Sequence, residues 1–241
     1  MGNVVDRRAF VSALTLGGVA AVMGGASACG APAATGPAPK VKNVVLVHGA
    51  YADGSCWADV IPYLQARGLT AASVQNPLRT LEEDVEYAQR TLALMDGPTV
   101  LVGHSYSGMI VTQAGVDPKV SALVYIAARA PDAGEDYTAL AKRFPTPPAS
   151  AGLIKTADGY SQLSQEAFLR DFAQDVDPAR ARVLCAVQGR VSGELFSGKV
   201  TRAAWRIKPT NANTIELDAS HLSIVSRAKE VSDLILKATA V

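Results

Sequence analysis

"VLVGHSYSG", Val100 to Gly108, carries an apolar β-branched run into a turn of small residues with a serine at its centre. Thr99 to Val102 reads as a buried strand, and Met109 and Ile110 open the helix that follows. A serine on so sharp a strand-to-helix turn is pushed out of the sheet with its hydroxyl exposed, and the next backbone amide is left free to bind an oxyanion. The pattern G-x-S-x-G expects glycine at position 107, where this chain has Ser107 followed by Gly108. Serine is small enough for the strand and helix to pass closely, so the reading of Ser105 as an exposed nucleophile stands on a modified turn.

Working outward, strand and helix patterns alternate. Val41 to Val47 is a continuous apolar run, as in a strand covered on both faces. It ends in His48-Gly49-Ala50-Tyr51, and a helix is expected from about Cys56 to Arg67, with Trp57, Val60, Ile61 and Leu64 at helical spacing and Gly68 as its stop. A second strand covers about Thr70 to Val74. An amphipathic helix follows, with Leu81, Val85, Ala88 and Leu92 on one face and acids at its start. After the elbow comes a strand over Ala122 to Ala127. This alternation predicts an α/β domain on a parallel sheet. From Pro131 to about Pro209 the rhythm breaks into Ala/Pro-rich sequence, helical in its later part, as expected of a cap over the carboxyl ends of the strands. A short strand, Thr214 to Leu217, then His221, then a helix over about Ala228 to Ala238 complete the pattern. Asp53 reads as a loop cap, Trp57 as core, and Cys56 and Cys185 as buried thiols.

The 241 residues carry 23 Lys+Arg against 22 Asp+Glu, a balance that offers no footprint for nucleic acid. Neither CxxC nor HExxH spacing occurs, so no metal site and no cofactor are expected. The first forty residues stand apart. Arg7-Arg8-Ala9-Phe10, a glycine-diluted apolar stretch and Ala26-Ser27-Ala28 together predict an export signal of twin-arginine type over 1–28. The mature chain then begins at Cys29, the one point where a lipid would tie it to a membrane, and continues through an Ala/Pro/Gly-rich tether over 29–40 into the domain at 41–241. An exported protein is the expectation.

Four stretches in this order, "VVLVHGAYADGSCW" (Val44–Trp57), "GHSYSG" (Gly103–Gly108), "YIAARAPDAGE" (Tyr125–Glu135) and "DASHLS" (Asp218–Ser223), make the chain resemble the α/β-hydrolases. It is most similar to the compact branch of methyl-salicylate esterases, hydroxynitrile lyases and their bacterial relatives. The resemblance implies an α/β-hydrolase fold, a mostly parallel sheet flanked by helices with a helical cap, shortened near the C-terminus. It implies Ser105 as nucleophile, His221 as general base, and the amides of Ala50 and Tyr106 as the oxyanion hole. His48 and His104, beside glycine turns, read as structural hydrogen-bonders.

The third member of the expected triad is missing from its usual place. In the family the acid follows the penultimate strand, but here the chain passes from "AAWRIKPT" into "NANTIELDASH" with no strand, acid-bearing loop or helix between. Asp132 and Asp218 are the substitutes in reach of the sequence, with a Ser–His dyad as the alternative. Thr214 to Leu217 is expected to pair directly with the Ala122–Ala127 strand, since the alternative leaves its backbone groups open. The functions that follow are hydrolysis of small, uncharged carboxylic esters through Ser105, or a degenerate hydrolase kept for small-molecule binding or signalling. Cyanohydrin-lyase chemistry lacks a visible cationic residue near the elbow.

Overall fold

The computed structural model describes residues 40–209 and 213–240. The export signal at 1–28, the tether up to residue 39 and the junction residues 210–212 lie outside the described residues.

Four parallel strands form the central sheet in the order β2-β1-β3-β4, with β1 Asn43–Val47, β2 Thr70–Val74, β3 Thr99–His104 and β4 Val120–Ile126. All of β1 and β3 is buried, as their unbroken apolar runs require of strands covered on both sides. Alternate residues serve two cores. Val44, Leu46, Val100, Val102, Ala122 and Val124 pack with Trp57, Leu64, Phe168 and Ile235. Val45, Val47, Leu101 and Leu123 face the other layer with Leu92, Met109 and Ile110. The helix α1, Ile61–Gln65, and the C-terminal α8, Ala228–Ala238, cover the first face; α2, Leu81–Ala93, and α3, Gly108–Ala114, cover the second. The Thr80 hydroxyl accepts from the Glu83 amide at the start of α2, and Glu82, Glu83 and Asp84 in its first turn complement the helix dipole.

Helix α1 is shorter than its apolar spacing predicts. Gly54–Trp57 is instead a 3-10 turn capped by Asp53, whose carboxylate accepts from the Ser55 amide, and Pro62 then starts α1 afresh. Between β4 and the C-terminal helices the chain builds the expected insertion: α4 Tyr137–Ala141, α5 Gln165–Ala167 running into a wider turn at Phe168–Phe172, and α6 Pro178–Ala186. It also contains a small antiparallel sheet of β5 Leu153–Lys155, β6 Tyr160–Leu163 and β7 Val191–Ser192. Strands this short carry too little alternation to be legible beforehand.

The expected strand at Thr214–Leu217 does not form: residues 213–220 make no ladder with β4 or any other strand. Residues just upstream occupy the position. The Leu123 amide donates to Pro209 O at 3.1 Å, and Lys208 Nζ donates to the carbonyls of Asp117 and Val120 at 3.1 and 2.9 Å. With the Leu123 amide and the Val120 carbonyl of β4 already satisfied, the later segment has little to gain by pairing there. It runs directly to α7, Ser223–Ser226, and α8, Ala228–Ala238.

The start of α3 passes close to the residues after β4. A Cβ built on Gly108 lies 2.1 Å from Arg129 O, so the crossing admits no side chain. Gly108→Ala forces two backbones apart and is expected to cost about 1–3 kcal/mol of stability, read as a lowered urea midpoint at unchanged m-value.

Candidate active site

Ser105 sits where β3 ends, in the left-handed region at φ 60°, a conformation costly for a residue with a Cβ. A single 3-10 turn, Ser105–Ser107, leads into α3. Ser107 has an ordinary φ of −66°, so the glycine that the pattern expects is not required there. Its hydroxyl lies 2.8 Å from both Val47 O and His104 O, tying the turn to β1 and β3. The loop after β1 presses on the same turn: a Cβ on Gly49 would stand 2.7 Å from Ser105 Cβ. Ala50 and Tyr106, the residues beside these two contacts, are both buried. The Tyr106 amide lies in the first turn of its helix, where donors lack an intrahelical acceptor.

His221 Nε2 lies 2.7 Å from Ser105 Oγ. The ring is packed between His104 and Phe172, at centroid distances of 5.0 and 5.1 Å. The short loop carrying it is held on both sides of the histidine. The Ser220 amide donates to Asp175 Oδ2 at 2.9 Å, and the Leu222 amide donates to Phe172 O at 3.3 Å. His104 Nε2 donates to the carbonyl of His221 itself at 2.8 Å. That bond assigns the His104 proton to Nε2 and leaves a buried Nδ1 without a partner. Burial, and then the charge of Arg129, lower the His221 pKa to about 4. Arg129, whose carbonyl packs against Gly108 at the start of α3, is a cation near the elbow that the sequence reading did not see.

Neither acid suggested by the sequence reaches His221. Asp132 is half-exposed and ion-paired with Arg206. Asp218 offers its carbonyl to Arg227. Among the described residues no carboxylate hydrogen-bonds or ion-pairs with His221. The carboxylate that does touch its loop, Asp175, was missed. It lies in "AQDVDP", where nothing in spacing or composition distinguishes it from a solvated acid.

The remaining readings resolve simply. His48 is buried, with Nδ1 donating to Gly49 O at 2.9 Å, and burial lowers its pKa. His104 is lowered to about 3, by burial first. Cys56 is a buried free thiol pushed up by desolvation, whereas Cys185 is only half-buried. Behind the elbow, the Asp84 carboxylate accepts from the Leu78 amide at 2.9 Å, and burial raises it to about 6. Among the described residues no group of His, Cys, Asp and Glu is arranged to hold a metal, and no helix is long and apolar enough to cross a membrane.

The sequence pattern of the Alpha/beta hydrolase family matches residues 44–234. A carbendazim hydrolyzing esterase of Nocardioides sp. (strain SG-4G) is 32% identical over 128 residues, 47% of this chain and 53% of the relative. Methylesterase 3 of Arabidopsis thaliana is 32% identical over 107 residues, 38% of this chain and 41% of the relative. The chain thus spans about half the length, or less, of these curated relatives. The crystal structure of polyneuridine aldehyde esterase superimposes with a TM-score of 0.68 at 17% identity, covering 82% of this chain and 98% of that one. The methylesterase agrees with the branch to which the four motifs pointed, and the aldehyde esterase shares the fold.

Two buried histidines, His48 and His104, and the half-buried His221, all held below their ordinary pKa, set a pH dependence of stability. Below pH 6.5 the unfolded chain takes up protons that folded His48, His104 and His221 refuse, so stability is lost as pH falls, at up to about 1.4 kcal/mol per pH unit for each histidine. Asp84, raised to about 6, works in the opposite direction and offsets one of the three. The urea midpoint is therefore expected to drop between pH 7 and pH 5; a midpoint that stays level or rises contradicts the lowered pKa values of these rings.

Proposed function

The chain belongs to the alpha/beta hydrolase family, and we propose that it is a serine esterase of small carboxylic esters, working through a Ser105–His221 dyad. The observation that carries this reading is the 2.7 Å approach of His221 Nε2 to a serine hydroxyl presented on a strained elbow. The esterases among its relatives support the reaction class. Ser105 Oγ attacks the ester carbonyl while His221 Nε2 accepts its proton. The amides of Ala50 and Tyr106 stabilise the oxyanion of the tetrahedral intermediate. Collapse expels the alcohol, which takes the proton back from His221. Water, deprotonated in turn by His221, attacks the acyl-enzyme, and the released acid leaves Ser105 restored.

Turnover by such a dyad is slow. An orienting acid holds the imidazole in its tautomer and stabilises the imidazolium, and compromising that acid in the worked serine-protease case costs about four orders of magnitude. Here orientation comes from the bonds to Ser220, His221 and Leu222, but none of them supplies negative charge at the ring. That shortage favours a second reading, a hydrolase fold kept for binding small molecules without turnover. Fluorophosphonate labelling separates the two, because only an activated serine reacts.

Labelling and ester cleavage are both expected to disappear in Ser105→Ala and to fall nearly as far in His221→Ala, since members of a catalytic unit are not additive. Labelling that survives in Ser105→Ala moves the nucleophile elsewhere. His221 acts as a base only when neutral, and its pKa is lowered to about 4, so the neutral form persists well below pH 6.5. The acid limb of kcat/KM is accordingly expected to bend near pH 4; a bend at the ordinary histidine value of about 6.5 denies the desolvated setting of the ring.

A further inference from the structure

Arg129 follows β4 by three residues, and its carbonyl is the atom packed against Gly108 at the start of α3, so its backbone is fixed beside the turn that carries Ser105. Its guanidinium lies over the rings of Tyr137 and Phe144, 5.5 and 5.2 Å from their centroids, with Nη1 3.4 Å from the Tyr137 hydroxyl. These contacts seat the cation without neutralising it. Carboxylates elsewhere are already engaged: Asp132 with Arg206, Glu135 with Arg143, Asp171 with Arg170. Among the described residues no carboxylate pairs with Arg129, a half-buried cation whose charge is felt at His221.

A positive charge in that place opposes the imidazolium that ester cleavage must form, in a site that also lacks the usual acid. A negative charge brought in by the substrate removes the opposition. Building on the esterase reading above, we propose that the site takes esters carrying a second, ionised carboxylate, which pairs with Arg129. The sequence reading, with no cation in view, expected an uncharged ester. A guanidinium is suited to this role because its planar fork matches a carboxylate at two points and it keeps its charge at any working pH. The bound carboxylate makes part of the electrostatic contribution that a triad acid supplies, so selectivity for the anion is a selectivity in kcat as well as in KM.

The test compares monomethyl glutarate with methyl pentanoate, two methyl esters of equal acyl length that differ in the terminal carboxylate, by methanol release from the whole protein. Monomethyl glutarate is expected to have the higher kcat/KM by at least about tenfold, 1.4 kcal/mol. Arg129→Met should collapse that ratio toward one, and Arg129→Lys should restore part of it; thermal melts confirm that both variants are folded. Calorimetric titration of Ser105→Ala with each ester gives a second readout, with binding of the anionic ester lost when Arg129→Met is added. Hydrolysis of both esters at similar kcat/KM, or a preference that survives in Arg129→Met, overturns the proposal and leaves the esterase reading intact. Arg129-dependent binding of the anionic ester without hydrolysis of either one overturns the esterase reading and keeps the anion site. No hydrolysis and no binding of the anionic ester overturns both.

Discussion

The structure turns on a backbone held where it would not rest by itself. Ser105 occupies the left-handed region at φ 60°, at a cost of order 1–3 kcal/mol, and the surroundings leave it no relaxed alternative. Behind it β3 is buried at every residue and paired on both sides. Ahead of it α3 starts against Arg129 O with no room at Gly108, and across it a Cβ on Gly49 would stand only 2.7 Å from Ser105 Cβ. The Ser107 hydroxyl ties the turn to two strands at once. The same crowding that enforces the strain brings the loop of Ala50 beside the Ser105 side chain.

The histidine loop is held by different means. In the familiar triad the acid reaches the imidazole from a neighbouring loop of the sheet. Here the grip falls on the backbone either side of the ring, from Asp175 and Phe172 in the insertion and from His104 at the end of β3. Orientation is thereby separated from charge, since hydrogen bonds to Ser220 and Leu222 position the ring without stabilising a proton on it. Two of the three supports come from the segment between Phe168 and Asp175, so the geometry at Ser105 depends on how well that segment packs. Phe168 and Phe172, both buried, contribute that packing.

Much of this could be read from residue patterns, and the limits have physical causes. The long apolar runs of β1 and β3, the spaced leucines of α2 and the small residues at the elbow report local constraints, and each of these elements formed where expected. The Ser105–His221 approach was legible because each residue follows a recognisable turn. The failures concern choices that depend on distant partners. Thr214–Leu217 has the composition of a strand, yet β4 gives groups on that side to Lys208 and Pro209, which no periodicity announces. Asp175 and Arg129 were not singled out, because the significance of each comes from what the fold brings beside it. Ser107, the departure from the expected motif, is small enough for the crossing, and its ordinary φ and the two carbonyls its hydroxyl meets add to that fit.

The side of β4 away from β3 has a bearing on solubility. A parallel sheet that stops at its fourth strand exposes a row of donors and acceptors on which another chain can extend a ladder, the route to aggregation. Among the described residues, those bonded there are a lysine and a proline, Lys208 and Pro209. Proline has no amide proton to offer an incoming strand, and the lysine occupies the Val120 carbonyl at the start of β4. Both are devices by which natural sheets discourage intermolecular pairing. On that side of β4 the Leu123 amide and the Val120 carbonyl are thereby closed to a neighbouring chain, by a lysine and a proline in place of a fifth strand.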